Sequence, residues 1–212
     1  PQISTYILCV MTPTKALNIE NLREFTDGEL IIKAIDGRED SFEELVRRYQ
    51  RPITNYVYRM LGNYDASLDV SQEIFIKVYN SMTRYSAEYK FSTWLYKISH
   101  NAAIDYLRRN SNHEQSLEVE NEDGTFQIQY ESKRLSPEQE RERSEWREEI
   151  ETVVKRLPSG YRELILLRHA NDLSYDEIAE VTNLPLGTVK NRLFRAREMM
   201  REIFIERGFK GI

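Results

Sequence analysis

The sequence has almost no cysteine and no clustered metal ligands. Cys9 is the only cysteine among 212 residues, which excludes a disulfide framework and is compatible with a reducing cytosol. The three histidines, His100, His113 and His169, are widely spaced and have no partner cysteines. We therefore expect a cytoplasmic protein with no metal site and no cofactor.

A long hydrophobic run is also missing. The apolar stretch from Tyr6 to Met11 is far too short to span a bilayer, and it lacks the basic flank and cleavage pattern of a signal peptide. Direct insertion into a membrane is therefore not expected. The chain begins with Pro1, and we expect the first ten residues to precede a native start at Met11.

Strand-like alternation and internal repeats are absent from the sequence, whereas helical spacing is frequent. These patterns predict an all-α fold with two small helical domains. The expected divisions are an N-terminal extension at 1–24, a helical domain at 25–110, a flexible acidic linker at 111–136 and a second helical domain at 137–208. From Ser111 to Glu151 there are thirteen acids against five bases, which is typical of a solvated connection in its first part.

Helix signals mark the first domain. Thr26 and Glu29 form a capping box, and a long helix is predicted from Asp40 to Leu61. Pro52 should kink or re-cap this helix, and Gly62 should end it as a left-handed cap.

A further helix is predicted from about Ala66 to Met82. Its spacing buries Phe75, Val78 and Met82 and turns out Gln72, Glu73, Lys77 and Asn80.

Aromatic residues and cations mix around the next helix, predicted from Phe91 to Arg109. Tyr85 and Tyr89 lie in the loop before it, and Trp94 and Tyr96 lie near the edges of its apolar stripe. Such a mixture suits single-stranded nucleic acid, where bases stack on rings and phosphates meet cations. The alternative is that these rings belong to the core, which is the better interpretation of each ring taken alone.

The stretch from Leu173 to Met200 predicts a helix–turn–helix. Ser174 and Glu177 can form a capping box, Asn183 and Leu184 make the turn, and Pro185 suits a first helical turn. The second helix places Val189, Leu193, Ala196 and Met200 on one face, and Gly187, Asn191, Phe194 and Arg195 opposite, flanked by Thr188, Lys190 and Arg192.

Charge supports a DNA-binding interpretation of this second helix. Five Arg or Lys and one acid lie between Leu186 and Arg201, although the whole chain has a net charge of −5. Nucleic-acid affinity must therefore come from local patches. The alternative is an amphipathic helix with a merely solvated basic face.

Three motifs together resemble the extracytoplasmic-function (ECF) sigma factors of the sigma-70 family. DVSQEIFIKVY (Asp69–Tyr79) is similar to the polymerase-binding stretch of the domain called sigma-two. KFSTWLYKISHNAAIDYLRR (Lys90–Arg109) is similar to the part that opens and reads the −10 promoter element. Residues Leu157–Arg197 resemble sigma-four, which reads the −35 element.

The resemblance implies roles for individual residues and partners. For polymerase binding it implies Asp69, Gln72, Glu73 and Phe75. For the −10 strand, including a pocket for a flipped base, it implies Lys77, Ser81, Tyr85, Trp94, Tyr96 and Asn101. For the −35 element it implies Thr188, Lys190, Asn191, Phe194, Arg195 and Arg197. The implied partners are the clamp helices and flap of core RNA polymerase, promoter DNA and an anti-sigma factor.

The resulting hypothesis is a promoter-specificity subunit of RNA polymerase, in a stress or envelope response, and not an enzyme. One alternative is a stand-alone DNA-binding regulator, which would need a ligand pocket or a phospho-acceptor site. Another is a structural helical adaptor, which would leave the basic face of the last helix unexplained.

Overall fold

A computed structural model describes residues 22–111 and 137–209. Residues 1–21 of the predicted extension and 112–136 of the predicted linker lie outside this description. The regular elements in the described ranges are all helical, as expected. The α-helices are α1 (Asp27–Ile35), α2 (Glu39–Leu61), α3 (Tyr64–Ser81), α4 (Phe91–Ser111), α5 (Pro137–Lys155), α6 (Ser159–Ile165), α7 (Tyr175–Thr182) and α8 (Leu186–Glu206).

Backbone contacts divide the described chain into two compact units. The first takes residues 22–111 together with 176–184, and the second takes 137–175 together with 185–209. Helices α1 to α4 form the core of the first unit from fully buried apolar side chains, among them Leu30, Phe42, Val57, Ile74 and Leu95. In the second unit, buried side chains of α5, α6 and α8 include Val153, Leu164, Val189 and Leu193.

Several predicted helix ends are confirmed. The Thr26 hydroxyl accepts from the backbone N–H of Glu29 at 3.3 Å, and the backbone N–H of Thr26 donates to the Glu29 carboxylate at 2.7 Å. Gly62 has φ 75° and its N–H donates to the carbonyl of Tyr58 at 2.8 Å. Helix α2 continues through Pro52, so this proline does not re-cap the helix.

Helix α3 begins two residues earlier than predicted. The side-chain oxygen of Asn63 accepts from the backbone N–H of Ala66 at 2.9 Å, which caps a helix that starts at Tyr64. After α3 the chain forms a short 3₁₀ turn, Met82–Arg84, before the loop that leads to α4.

Arg48 fastens the chain before α1 to helix α2. Its guanidinium lies 2.8 Å from the Asp27 carboxylate and 2.9 Å from the Glu44 carboxylate. It also donates to the backbone carbonyls of Leu22 at 3.0 Å and Arg23 at 3.1 Å. One side chain thereby bonds to a carboxylate on each of α1 and α2 and to two backbone carbonyls that precede α1.

The segment from Tyr161 to Arg168, predicted as one helix, changes from an α-helix to a π-helical turn in the structure. Helix α6 ends at Ile165, and Leu166–Ala170 form a π-helical turn. The Asn171 side chain donates to the carbonyl of Leu166 at 3.0 Å, which satisfies one group that the widened turn exposes. The predicted turn between α7 and α8 is confirmed, with Asn183 at φ 54°.

Within residues 22–111 and 137–209, no helix is both long and apolar enough to cross a membrane. The same residues contain no group of three or more His, Cys, Asp or Glu side chains placed to hold a metal ion.

Candidate nucleic-acid interface

Helix α8 has a completely buried side. Val189, Leu193 and Ala196 have no exposed surface, and Met200 at the same spacing is half-buried. This confirms the predicted inward face for the first three residues. Because they lie three or four positions apart, they fix which residues of α8 face the solvent.

The opposite side of α8, which we call the recognition face, carries the residues predicted for the −35 element. Phe194 is 63% exposed, although burying such a ring normally stabilises a fold by about 1.5–3 kcal/mol. A large ring left in solvent among cations is therefore available for a ligand. Thr188 is half-buried, and the exposed members are Lys190, Asn191, Phe194, Arg195 and Arg197.

A cluster of cations surrounds Tyr175 beside this face. The guanidinium of Arg197 donates to the Tyr175 hydroxyl at 3.2 Å, and the guanidinium carbon of Arg168 lies 5.3 Å from the centre of the Tyr175 ring. The hydrogen bond from Arg197 lowers the pKa of Tyr175. Burial lowers the pKa of His169, and the charges of Arg197 and Arg168 lower it further. The two guanidinium groups beside Tyr175, together with its lowered pKa, indicate a positive potential that suits a phosphate group.

Arg168 and Tyr175 were missed by the sequence reasoning. An unbroken α-helix through Arg168 offered no reason to place it near Tyr175. The π-helical turn at Leu166–Ala170 and the left-handed Asp172, with φ 53°, lie between them. Arg168 also donates to the carbonyl of Leu173 at 2.9 Å, which fixes the guanidinium locally. Widened turns of this kind are frequent at functional sites.

In the first unit, three aromatic rings meet where the loop enters α4, and we call them the ring cluster. The Tyr85 and Trp94 rings are 5.5 Å apart, Tyr85 and Phe91 are 6.1 Å apart, and Phe91 and Trp94 are 5.9 Å apart. Phe91 is buried, whereas Tyr85 and Trp94 are half-buried. The Tyr85 hydroxyl donates to the carbonyl of Tyr89 at 2.6 Å, which holds the loop closed. The two half-buried rings could stack a base.

Tyr96 does not join the ring cluster. It is only 4% exposed and packs edge-on against Tyr56 in the core, with ring centres 5.7 Å apart. Two residues along a helix correspond to a rotation of about 200°, so Trp94 and Tyr96 point in nearly opposite directions. The predicted base pocket is corrected in this respect, because Tyr96 serves packing.

Asn101 is exposed, as predicted, but it does not share a pocket with Trp94. The two residues are seven positions apart on α4, which places them on the same face and about 10 Å apart along the axis. One base cannot contact both side chains. Asn101 can instead meet a neighbouring nucleotide of the same strand.

The two predicted −10 residues of α3 differ in availability. Lys77 is exposed, whereas Ser81 is half-buried and its hydroxyl donates to the carbonyl of Lys77 at 2.6 Å. Of these two residues, Lys77 is therefore the one whose polar group is exposed to a ligand.

The residues predicted to bind polymerase also differ in their exposure to solvent. Asp69 and Glu73 are exposed and Gln72 is half-buried, at spacings that put them on one side of α3. Phe75 is 1% exposed and belongs to the core. The prediction that Phe75 contacts polymerase directly is therefore wrong. Its ring packs in the core on the buried side of α3, away from the exposed Asp69 and Glu73.

Comparison with known proteins identifies both units. The family model for sigma-70 region 2 matches residues 45–113, and that for sigma-70 region 4 matches residues 147–200. The ECF RNA polymerase sigma factor SigW of Bacillus subtilis is 36% identical over 168 residues, covering 78% of this chain and 90% of SigW. The chain belongs to the ECF sigma factors. It is thus a non-enzymatic factor of transcription initiation.

Other sigma factors show the same relationship. The ECF RNA polymerase sigma-E factor of Haemophilus influenzae is 37% identical over 183 residues, covering 84% of this chain and 94% of the relative. Among solved structures, the sigma factor RpoE of Bartonella quintana, in complex with the anti-sigma factor NepR, superposes with a TM-score of 0.62 and 20% identity. That match covers 77% of this chain and 96% of RpoE, and it shows a common fold.

The matched regions contain the surfaces described above. Region 2 includes α3, the ring cluster and Asn101, whereas region 4 includes the Tyr175 cluster and the recognition face. The regulator and adaptor alternatives are therefore set aside, because neither requires a sigma-70 region 2.

Proposed function

We propose that this sigma factor directs core RNA polymerase to promoters by reading the −35 element with α8 and the separated −10 strand with the ring cluster. The observation that carries the proposal is the recognition face. Its exposed phenylalanine and cations stand directly opposite three fully buried residues. An exposed, mixed polar and aromatic face on the second helix of a helix–turn–helix is suited to the major groove.

At the −35 element, base contacts and phosphate contacts have separate residues. Asn191 and Arg195 can form bidentate hydrogen bonds with adenine and guanine edges, and Phe194 can contact a thymine methyl group. Arg168, Tyr175 and Arg197 supply a positive site for a backbone phosphate, which positions the helix without reading sequence. Around the helix, Lys190 lies between Phe194 and Arg197, whereas Thr188 lies beside Arg195 at the other edge of the face.

At the −10 element, stacking would stabilise the separated strand. Extracting a base costs a few kcal/mol, and stacking on an aromatic side chain contributes about 1–3 kcal/mol per base. Tyr85 and Trp94 provide the stacking surface, and Lys77 can meet a phosphate. Asn101 can add a hydrogen bond to the base edge of a nearby nucleotide.

The exposed side of α3, with Asp69, Gln72 and Glu73, would bind the clamp helices of polymerase, and region 4 would bind the flap. We infer that the protein acts in the cytoplasm, under an anti-sigma factor, in a stress or envelope response. Two proteins of similar fold support an anti-sigma partner: RpoE, solved with the anti-sigma factor NepR, and CnrH, solved with the cytosolic domain of CnrY.

The test is in vitro transcription with purified core polymerase on a library of promoters. Wild-type protein should select a subset with common −35 and −10 sequences. Glu73→Lys should abolish both transcription and co-purification with core polymerase, while thermal unfolding stays nearly unchanged because the side chain is exposed. Asp36→Lys, an equal charge reversal at an exposed position after α1, is the control and should remain active. Promoter-independent transcription by the wild type would refute the proposal.

A further inference from the structure

The side of α4 that carries Trp94 and Asn101 also carries two cations that have no role in the proposed −10 site. Lys90 directly precedes the helix, and the backbone N–H of Trp94 donates to its carbonyl at 3.2 Å, so helical spacing already applies there. Lys97 follows seven positions later, about 10 Å along the axis. We call Lys90, Trp94, Lys97 and Asn101 the strand face, since their spacing puts them on one side of α4.

Two carboxylates of α7 meet these two cations. From Asp176 onward, α7 belongs to the same compact unit as α4. The Lys90 ammonium group lies 2.9 Å from the Glu177 carboxylate, and the Lys97 ammonium group lies 3.9 Å from the Glu180 carboxylate. Glu177 and Glu180 are three positions apart and share one side of α7. Neighbouring acids on one helix thus face neighbouring cations on the other.

Thr93 adds a neutral contact to the same carboxylate. Its hydroxyl donates to Glu177 Oε1 at 3.3 Å, and Thr93 is only 2% exposed. Lys90 pairs with the same oxygen atom. Glu177 therefore accepts from a cation and from a hydroxyl group, both at the amino end of α4, and two donors orient a carboxylate better than one charge does.

The two ion pairs are accessible to a competing ligand. The Lys90 side chain is 75% exposed and that of Lys97 is 34% exposed, and ion pairs near the surface contribute little to stability and weaken with salt. Phosphate groups carry charge of the same sign as the two carboxylates. A DNA strand on the strand face would therefore compete with α7 for the same ammonium groups, and the buried core would not need to change.

We propose that α7 covers the strand face in the free protein, with Glu177 and Glu180 occupying the ammonium groups that phosphates of the separated −10 strand take over. The inference rests on the proposed reading of the −10 strand, and it adds Lys90 and Lys97 to that site. Displacement of the two acids opposes the binding of any strand. Single-stranded DNA of unrelated sequence should therefore bind more weakly than the rings and cations of α4 would allow by themselves.

The first experiment measures, by fluorescence anisotropy at low salt, the affinity of the full chain for single-stranded DNA of random sequence. Glu177→Gln removes the charge and keeps a residue type that serves in capping boxes. This variant should bind about threefold more tightly than the wild type, as expected for the release of one exposed ion pair. The gain should shrink as salt rises. Asp176→Asn removes an equal charge from an adjacent, exposed position of α7 and should keep the wild-type affinity.

Removal of the cation tests the same pair from α4. Lys90→Gln should weaken binding, because one phosphate contact is lost, and it should abolish the gain that Glu177→Gln gives, because that ammonium group can no longer be released. Equal affinities of Glu177→Gln and wild type, an equal gain with Asp176→Asn, or an undiminished gain in the Lys90→Gln background would each overturn the proposal.

Zero-length cross-linking measures the contact without any substitution. A carbodiimide joins an amine to a neighbouring carboxylate as an amide, with net loss of water, and mass spectrometry of the peptides identifies the pair. The Lys90–Glu177 cross-link should form in the free protein and decline when the single-stranded DNA is bound. Its absence from the free protein, or an equal yield with bound DNA, would overturn the proposal even if Glu177→Gln did not fold. Failure of the wild type and the variants alike to bind single-stranded DNA would instead refute the proposed reading of the −10 strand, and this inference with it.

Discussion

The recognition face and the ring cluster would both meet promoter DNA, but they are built in different ways. The recognition face belongs to a single helix, whose buried residues Val189, Leu193 and Ala196 are separate from the exposed residues that would touch DNA. The ring cluster combines a loop with the first turns of α4, and its rings are buried or half-buried. In the first surface, folding and binding use different side chains, whereas in the second they share them.

This difference determines how substitutions should act. Changes on the recognition face should alter DNA binding and leave the free energy of unfolding nearly constant, because exposed residues contribute little to stability. Changes around the ring cluster should affect stability, binding or both, according to the burial of each ring. Four substitutions distinguish these two cases, from the largest expected effect to the smallest.

Tyr96→Ala should have the largest effect, and the effect should be on folding. Its ring is buried against Tyr56, and removal of a large buried ring typically costs about 3–5 kcal/mol. Urea denaturation followed by circular dichroism measures this loss. A cost below about 1 kcal/mol would show that Tyr96 lies outside the core and would return it to the candidate −10 surface.

Trp94→Ala should mainly impair promoter opening. Loss of one stacking ring weakens binding of the separated strand by about 1–3 kcal/mol. Permanganate footprinting of −10 thymines measures opening, and urea denaturation of the same preparation measures stability. Tyr64→Ala, which removes an exposed ring at the start of α3, serves as the control. Equal opening by both variants would contradict the proposed stacking role.

Arg195→Ala should weaken −35 binding without affecting thermal unfolding. A lost bidentate base contact costs about 1–3 kcal/mol at one base pair, whereas a lost phosphate contact weakens all sequences alike and lowers the salt dependence. A gel-shift series with single-base variants of the −35 duplex separates these outcomes. Unchanged affinity for every duplex would remove Arg195 from the interface.

Asn101→Ala should have the smallest effect, about 1 kcal/mol, which is typical of a single neutral hydrogen bond. Because Asn101 lies two helical turns from Trp94, its loss should reduce base discrimination more than strand separation. A template with a pre-melted −10 region should therefore keep the loss of discrimination. If pre-melting restored wild-type base preference, Asn101 would act on opening alone.

Much of the helical framework could be predicted from sequence because its signals are local. The capping box at Thr26 and Glu29, the left-handed cap at Gly62 and the inward face of α8 each depend on residues within a few positions of one another. The π-helical turn at Leu166–Ala170 could not be predicted in this way. No residue type specifies such a turn, and the Tyr175 cluster next to it was missed as a result.

Phe75 shows how two kinds of reasoning can disagree. Helical spacing placed this ring inside, together with Val78, whereas the family resemblance placed it among polymerase contacts. The structure agrees with the spacing. A motif marks a stretch of chain, and only periodicity separates the residues that support a surface from those that form it. Arg192 was the opposite case: spacing places it at the flank of the recognition face, but its side chain is half-buried and its Nη1 atom lies 3.9 Å from the position that a Cβ on Gly160 of α6 would occupy.

The four bonds of Arg48 also limit how far the first unit can be shortened. A fragment that begins at Asp27 would lack the carbonyls of Leu22 and Arg23 and the Thr26 cap. The guanidinium would lose two of its acceptors, and the first turn of α1 would lose its cap. The smallest piece of this unit that folds on its own should therefore start no later than Leu22, before the amino end of α1.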